Sequence, residues 1–208
     1  MQIKAKIGNI KRVRADAIIM GVYENMKRPR GDLSTINKSL NGAVSDLIHN
    51  GEIKGKLGEV TVIHSLGKIT ADRVVTVGLG KRNDISLEKI RTATSDVCRA
   101  LKVKGAKHVV MMALGTGSGT LGVHETGQAI AEGAILGDYT FRKHMTTKDE
   151  TGELQTMIII DRSRSVVAAM QRGISEGIIL AEAANLARDL VNEPANFMTP
   201  AQLAAEAV

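Results

Sequence analysis

Cysteine is nearly absent from this sequence, and so are long apolar runs. The 208 residues include one cysteine, Cys98, which excludes an intramolecular disulfide and indicates a reducing compartment. The first 18 residues lack the continuous apolar stretch of a signal peptide. No run approaches the roughly 18 apolar residues of a transmembrane helix. These absences predict a cytoplasmic protein with no membrane partner.

Aromatic side chains are also scarce, at 2% of the chain. This scarcity makes base stacking on single-stranded nucleic acid an implausible function. It also means that the core must be built from Ile, Val, Leu, Met and Ala. A hydrophobic fraction of 43% with 24% charged residues is ordinary for a soluble globular protein. At this length a chain buries roughly 70% of its unfolded surface, so the fold needs no disulfide or metal to hold it.

Positive charge is concentrated near the amino terminus. Residues 1–37 hold eight Lys or Arg and three Asp or Glu, whereas basic and acidic residues almost cancel in the remainder. The basic cluster of Lys11, Arg12 and Arg14 could contact the phosphates of duplex DNA. A second run, residues 27–30 (KRPR), lies in a Pro/Gly loop, where such charges are usually only solvated. Nucleic-acid binding therefore stays an alternative hypothesis.

The periodicity of apolar residues predicts alternating strands and helices. Strands are predicted at 2–7, 16–23, 59–64, 72–79, 107–114 and 154–160. Helices are predicted at 32–50, 86–103, 124–137 and 163–190, and a further helix starts at Thr199-Pro200. This order indicates an α/β fold with three α/β/α layers around a mixed sheet. The strand residues that we expect to be buried are Ile18, Ile19, Val75, Val77, Val110, Met111, Ile158 and Ile159.

A glycine-rich loop follows the predicted strand 107–114 and precedes the helix 124–137. Residues 117–122 (GSGTLG) match GxGxxG, a pattern in which backbone N–H groups can approach a phosphate. The acidic residue that the dinucleotide fingerprint requires about 20 residues on is missing, because the next predicted strand ends only at Asp161. A flexible turn is the competing interpretation. The candidate ligand-binding residues are Gly115, Gly117, Gly119 and Gly122.

No arrangement of residues indicates a metal site or a nucleophile in this chain. The five histidines show no HExxH motif, no i, i+4 pair and no nearby cysteine. We expect His49 and His144 near helix ends and His64 and His108 in strands. Cys98 is expected to be a small buried hydrophobe, and no GxSxG motif is present. The sequence therefore predicts no catalytic residue and no metal ligand.

The final quarter of the chain carries a long motif. Residues 185–200 (NLARDLVNEPANFMTP) resemble the A-R-D-L-x-N-x-P-x-N-x-x-T-P junction that precedes the catalytic domain in leucyl (cytosol) aminopeptidases. Residues 131–141 (AEGAILGDYTF) are similar to that family's E-G-x-x-L-x-x-Y-x-F helix end, and residues 55–80 fit its amino-terminal hairpin. The metal-site signature N-T-D-A-E-G-R of the family is absent, so no catalytic residue is carried over.

The resemblance implies a macro-domain-like amino-terminal domain at 1–184. It further implies that 185–208 form a linker helix and the start of a missing catalytic domain. Full-length relatives are metallo-exopeptidases, typically hexameric, that remove amino-terminal residues from peptides. Their two divalent ions, zinc or manganese, would lie in the missing domain, so this fragment alone is predicted to be inactive.

On this interpretation the fragment serves assembly and covering of the active site, and its partners are its own peptidase domain and further copies of the chain. Two alternatives stay open: a phosphate or ADP-ribose-type ligand, and duplex DNA. The last predicted helix has no stop signal, which fits either a natural terminus or a chain that continues past Val208.

Overall fold

The computed structural model describes residues 1–10, 13–115, 119–146 and 152–207. In this part of the chain the strands are β1 (Gln2–Ile7), β2 (Ala17–Val22), β3 (Val60–His64), β4 (Arg73–Gly78), β5 (His108–Met112) and β6 (Thr156–Asp161). The α-helices are α1 (Gly31–Ser39), α2 (Ala43–His49), α3 (Leu87–Val103), α4 (Val123–Asp138), α5 (Arg164–Asn192) and α6 (Pro200–Glu206), and a short 3-10 helix spans Arg82–Asp84. All six predicted strands are confirmed.

The strands form one mixed sheet in the order β1-β6-β5-β2-β4-β3. Every neighbouring pair is parallel except β3 and β4, which form the predicted hairpin at one edge. Its turn contains Leu66 and Gly67, which have positive φ angles of 51° and 77°. Glycine adopts such an angle without steric cost, whereas the side chain of leucine makes this conformation strained. The predicted mixed sheet is confirmed.

Alternate residues of the central strands supply two separate cores, because successive side chains of a strand point to opposite faces. On β2, Ile19 packs into the core under α3, α4 and α5, whereas Ile18 and Met20 pack into the core under α1 and α2. Seven of the eight residues predicted to be buried are at most 1% exposed, and Ile158 is partly buried. The sheet is therefore covered on both faces, as its continuous apolar strands require.

Helix α4 lies between α3 and α5, and glycines bring these helices close together. A Cβ at Gly173 of α5 would lie 1.9 Å from the carbonyl oxygen of His124 on α4. A Cβ at Gly127 would lie 2.5 Å from the carbonyl oxygen of Met170. Real atoms cannot approach so closely, so only glycine permits this spacing of the helices.

The single helix predicted at 32–50 is wrong, because two helices occupy this range. Asn41 and Gly42 separate α1 from α2 with φ angles of 56° and 92°. Asn and Gly are the residues that tolerate this left-handed conformation. The apolar spacing continues across the break, and Leu40 and Val44 still enter the same core. Periodicity alone therefore could not reveal the break.

Side-chain caps fix the starts of three helices at predicted positions. Ser86 accepts a hydrogen bond from the backbone N–H of Lys89 and caps α3. Ser163 caps α5 in the same way, and Thr199 caps α6, in which Pro200 takes the first position. Helix α5 packs against α4 up to Ala181, and its last turns are largely exposed.

Candidate functional site

The end of α5 carries the first half of the family-like motif and is largely exposed. Ala181 is its last buried side chain, whereas Leu186 and Val191 are 54% and 84% exposed. We call residues 185–200 the junction segment. It lies beside residues 139–146, which follow α4 and which we call the α4 exit segment.

Tyr139 connects the α4 exit segment to α5. Its hydroxyl donates to the carboxylate of Asp189 at 2.8 Å and accepts from the amide of Asn192 at 3.1 Å. The guanidinium of Arg188 lies 5.3 Å from the centre of the Tyr139 ring. Partial burial and donation to Asp189 raise the pKa of Tyr139. Three residues of the motif thus hold one tyrosine of the preceding segment.

Glu193 makes the second connection and is one of the few buried acidic side chains. Its carboxylate accepts from the Lys143 ammonium at 2.9 Å and from His144 Nε2 at 2.7 Å. The hydrogen bond from Lys143 lowers the pKa of Glu193, and the bond from His144 adds to this effect against the opposing effect of burial. A buried carboxylate is stable only when it is paired in this way.

The ring of His144 packs beside two aromatic rings. Its centre lies 4.8 Å from that of Phe197 and 6.0 Å from that of Phe141. The expected position of His144 near a helix end is wrong, because α4 ends at Asp138 and His144 lies in the exit segment. The sequence interpretation missed this cluster, and its only signal was that several of the chain's few aromatic residues lie near the motif.

The glycine loop is described only in part, since Gly117 lies outside the described residues. Gly115 has a φ angle of 73°, and a Cβ there would lie 2.9 Å from Ile90 Cδ1. Gly119 is exposed, with a φ angle of 77°. The backbone conformation and the close packing of α3 are sufficient to explain these two glycines.

Gly122 is the N-cap of α4, and the carboxylate of Glu125 from the first turn of this helix lies next to it. The Glu125 side chain turns back over this residue, so that a Cβ at Gly122 would lie 1.9 Å from Glu125 Oε2. The positive end of the helix dipole is therefore next to a carboxylate of the same helix. The negative charge of Glu125 therefore disfavours the binding of a phosphate at the start of α4.

Of the three residues of the proposed DNA-binding patch, the structure describes only Arg14. It is exposed, in the connection before β2. Lys11 and Arg12 lie outside the described residues, so the patch stays a prediction.

A cleft opens where β2, β4 and β5 end. Two adjoining cavities of about 730 and 440 Å³ meet there and share Tyr23, Met26, Arg30 and Arg82. The floor is apolar and includes Leu79 and Leu114. We call this site the basic cleft, because Lys27 and Arg28 complete its rim.

The side chains that could hold a metal ion are scattered over the part of the chain that the structure describes. Among the described residues no three His, Cys, Asp or Glu side chains are placed to hold a metal ion. Cys98 is fully buried, and burial raises the pKa of its thiol far above the usual value. Within the same described part, no helix combines the length and apolarity needed to cross a bilayer.

Comparison with known proteins gives one consistent family. Residues 19–148 match the model of the cytosol aminopeptidase family, N-terminal domain. A probable cytosol aminopeptidase of Alkaliphilus oremlandii is 36% identical over 209 residues, which cover 100% of this chain and 42% of that protein. The chain thus spans about two fifths of the length of such curated relatives.

Solved structures support the same fold. A tomato leucine aminopeptidase variant superposes with a TM-score of 0.80 at 23% identity, covering 100% of this chain and 41% of that one. A Trypanosoma brucei macrodomain in complex with ADP gives a TM-score of 0.64 at 11% identity, covering 83% of this chain and 69% of the other. At these identities the likeness shows the shared three-layer fold, and it confirms the macro-domain-like architecture.

Proposed function

Since the chain belongs to the cytosol aminopeptidase family and matches its amino-terminal domain, we propose that it is the non-catalytic part of a metal-dependent aminopeptidase that removes amino-terminal residues from peptides. The peptidase chemistry belongs to a domain that follows this one. The domain division that goes with this proposal is an amino-terminal domain at 1–184 followed by a linker and the start of the catalytic domain at 185–208. The boundary falls inside α5, which would therefore run from one domain into the next.

The observation that carries the proposal is the exposed apolar surface along the end of α5 and α6. Leu186, Val191 and Phe197 are each more than half exposed, and Leu203 is 49% exposed. Exposed apolar side chains that cluster on one projecting element mark an interaction surface. The contacts of Tyr139 and Glu193 hold this element in place, so it would present a fixed surface to the peptidase domain.

The residues present here do not fit the two divalent ions, zinc or manganese, that the family's chemistry uses. No described His, Cys, Asp or Glu cluster could bind them. The ions therefore belong to the downstream domain in this proposal. The amino-terminal domain would cover the active site and support assembly of the enzyme into hexamers in the cytoplasm.

The decisive experiment compares residues 1–208 with the same residues joined to the downstream domain. Hydrolysis of leucine p-nitroanilide is measured with zinc or manganese present. We expect no turnover by the fragment and clear turnover by the longer protein. Turnover by the pure, metal-loaded fragment, after contaminating peptidases are excluded, would overturn the proposal.

A matched pair of variants tests the surface itself in the longer protein. Val191→Glu places a charge at the proposed domain contact, whereas Leu66→Glu places the same charge at the distant β3–β4 turn, where Leu66 is 83% exposed. We expect the first change to reduce activity and assembly and the second to leave both unchanged. Equal behaviour of the two variants would contradict a domain contact at Val191.

The two alternative functions have less support from the described residues. A phosphate or ADP-ribose-type ligand at Gly115, Gly117, Gly119 and Gly122 would meet the carboxylate of Glu125. Duplex DNA binding through Lys11, Arg12 and Arg14 would be weak, non-specific and sensitive to salt. A gel shift at two salt concentrations, repeated after all three residues are changed to Glu, tests the second alternative. Binding that survives the changes would show that another surface is responsible.

A further inference from the structure

A cavity of about 410 Å³ lies beside the junction segment, between the α4 exit segment, the end of α5 and α6. We call it the junction cavity. The exit segment contributes Phe141 and Lys143 to its lining, α5 contributes Asp189 and Leu190, and α6 contributes Glu206. Its volume falls within the usual range of ligand pockets and is ample for one amino acid.

Four apolar side chains contribute to the lining of the junction cavity. They are Phe141, Leu186, Leu190 and Met198. Phe141, Leu190 and Met198 are partly buried, so each keeps some apolar surface that a ligand could cover. Removing apolar surface from water is favourable, and a hydrocarbon side chain on the ligand would do so here. The lining therefore favours a ligand with an apolar group.

Lys143 brings a positive charge to the junction cavity. Its ammonium lies 2.9 Å from the carboxylate of Glu193, yet its side chain is 62% exposed, whereas that of Glu193 is 4% exposed. Glu193 also accepts a hydrogen bond from His144, so the buried carboxylate is paired on both oxygens. An ammonium carries three donors, and the bond to Glu193 uses one of them. Lys143 can therefore bind the carboxylate of a ligand as well.

Asp189 brings a negative charge to the same cavity. Its Oδ1 accepts from the hydroxyl of Tyr139 at 2.8 Å, and no group among the described residues donates to its Oδ2. Glu206 is a second exposed acid of the lining, and its Oε1 accepts from the amide of Gln202 at 3.1 Å. An ionised carboxylate has two oxygens that accept hydrogen bonds. Both acids can therefore bind the ammonium of a ligand.

We propose that the junction cavity binds a free α-amino acid with an apolar side chain, such as leucine. Its carboxylate pairs with Lys143, its ammonium pairs with Asp189, and its side chain covers Leu190 and Met198. A zwitterion carries both charged groups on one carbon atom, so it pairs with both residues and adds no net charge to the cavity. An amino acid of this class is also what the proposed aminopeptidase would release, and only this last link rests on the proposed function.

NMR titration of residues 1–208 at neutral pH tests the proposal with leucine and three partial probes. Glycine lacks the apolar side chain, isoamylamine lacks the carboxylate, and isocaproate lacks the ammonium. We expect leucine to bind at least about tenfold more tightly than each of them, because one charge-assisted hydrogen bond or one buried leucine side chain contributes roughly that factor. The resonances that shift should belong to residues 139–146 and 189–198.

Failure of leucine to bind at millimolar concentration, or equally tight binding of any partial probe, would overturn the proposal. Neither result would affect the aminopeptidase assignment, because the titration involves no downstream domain and the turnover experiment tests that assignment separately.

Two matched pairs of variants locate the site. Asp189→Asn keeps an acceptor for Tyr139 but removes the charge that binds the ammonium, so the affinity for leucine should fall by at least about tenfold. Asp72→Asn makes the same change at an exposed carboxylate elsewhere and should leave the affinity unchanged. Leu190→Trp fills the cavity and should abolish binding, whereas Leu180→Trp adds the same ring to α5 outside the lining, where Leu180 is 52% exposed.

Circular dichroism confirms that each variant is folded. Unchanged leucine binding in Asp189→Asn and Leu190→Trp, or equal losses in their two controls, would place the ligand elsewhere and overturn the proposal.

Discussion

The carboxylate of Glu193 accepts a hydrogen bond of 2.7 Å from the imidazole of His144 and so joins the end of α5 to the segment after α4. These residues are 49 positions apart in the sequence. The side chain of Glu193 is only 4% exposed, whereas that of His144 is 36% exposed. The contact therefore fixes the direction in which the chain leaves α5, which is the direction of the proposed peptidase domain.

We expect Glu193→Gln to loosen the junction segment. The amide keeps the size of the side chain but loses the charge that pairs with Lys143 and His144, so amide hydrogen exchange should become faster at residues 139–146 and 193–198. Glu206→Gln, an exposed change on α6, is the matched control. Unchanged exchange rates in Glu193→Gln would show that the pairing does not hold the segment.

The same contact should depend on pH. The pKa of Glu193 is lower in the folded chain than in the unfolded chain. Its contribution to stability is therefore fully present above the ordinary carboxyl pKa, and it is lost as the pH falls through the lowered pKa of the folded state. The protection of the junction amides, measured relative to the intrinsic exchange rate at each pH, should therefore fall in acid in the wild-type chain and less so in Glu193→Gln. Identical acid profiles would contradict this assignment.

Asp16 ties the start of β2 to the start of β5. Its carboxylate accepts from the backbone N–H groups of Lys107 at 2.6 Å and His108 at 2.8 Å. Although partial burial opposes ionisation, the hydrogen bonds from His108 and Lys107 outweigh it and lower the pKa of Asp16. We expect Asp16→Ala to reduce the free energy of unfolding by about 1 kcal/mol at neutral pH, allowing for the partial exposure of the site.

Urea denaturation at neutral and acidic pH measures this effect. Because the pKa is lowered on folding, the loss should be largest above the ordinary aspartate pKa and should shrink as the pH falls below it. Asp72→Ala, a change at an exposed carboxylate, should alter stability little. A loss of the same size at both pH values would point to packing rather than charge.

Gly173 sets the distance between α4 and α5. A methyl group there would collide with the backbone of His124, so Gly173→Ala should destabilise the fold by about 1–3 kcal/mol in chemical denaturation, despite the higher helix propensity of alanine. Arg172→Ala, at the adjacent exposed position, provides the control. A more stable Gly173→Ala chain would show that the helices can separate without cost.

Cys98 should be unreactive in the folded chain. Burial raises the pKa of its thiol, and alkylation requires the thiolate. We expect iodoacetamide to label the native protein at pH 8 only as fast as the fold opens, and to label it rapidly in guanidinium. Cys98→Ala supplies the background, and similar rates in the two conditions would contradict the burial of this residue.

The sheet could be predicted from sequence because each strand has its own apolar run. Ile18 and Ile19 lie in a stretch that is buried on both faces, and such a stretch requires helices above and below the sheet. The break at Asn41-Gly42 could not be predicted with the same certainty, because the apolar spacing continues across it. A local pattern identifies the buried face of a helix but not a short interruption that leaves this face unchanged.

The sites were less predictable than the fold. The motif around Asp189 indicated the family, but nothing local links His144 to Glu193, since tertiary packing brings them together. The basic residues 27–30 were interpreted as solvated loop charges, because the cavity that they border exists only once β2, β4 and β5 are aligned. The glycine pattern was conspicuous in the sequence, yet Glu125 takes the position that an anion would need.

The pairing of β1 with β6 has a consequence for how the protein is made. Gln2 pairs with Thr156, so β1 cannot dock until β6, which ends at Asp161, has also been synthesised. At ordinary rates of translation this interval lasts about 10–30 s. During it, β1 is an unpaired strand that could join another nascent chain. Lys4 and Lys6, both exposed on β1, place charges along this strand that oppose such pairing.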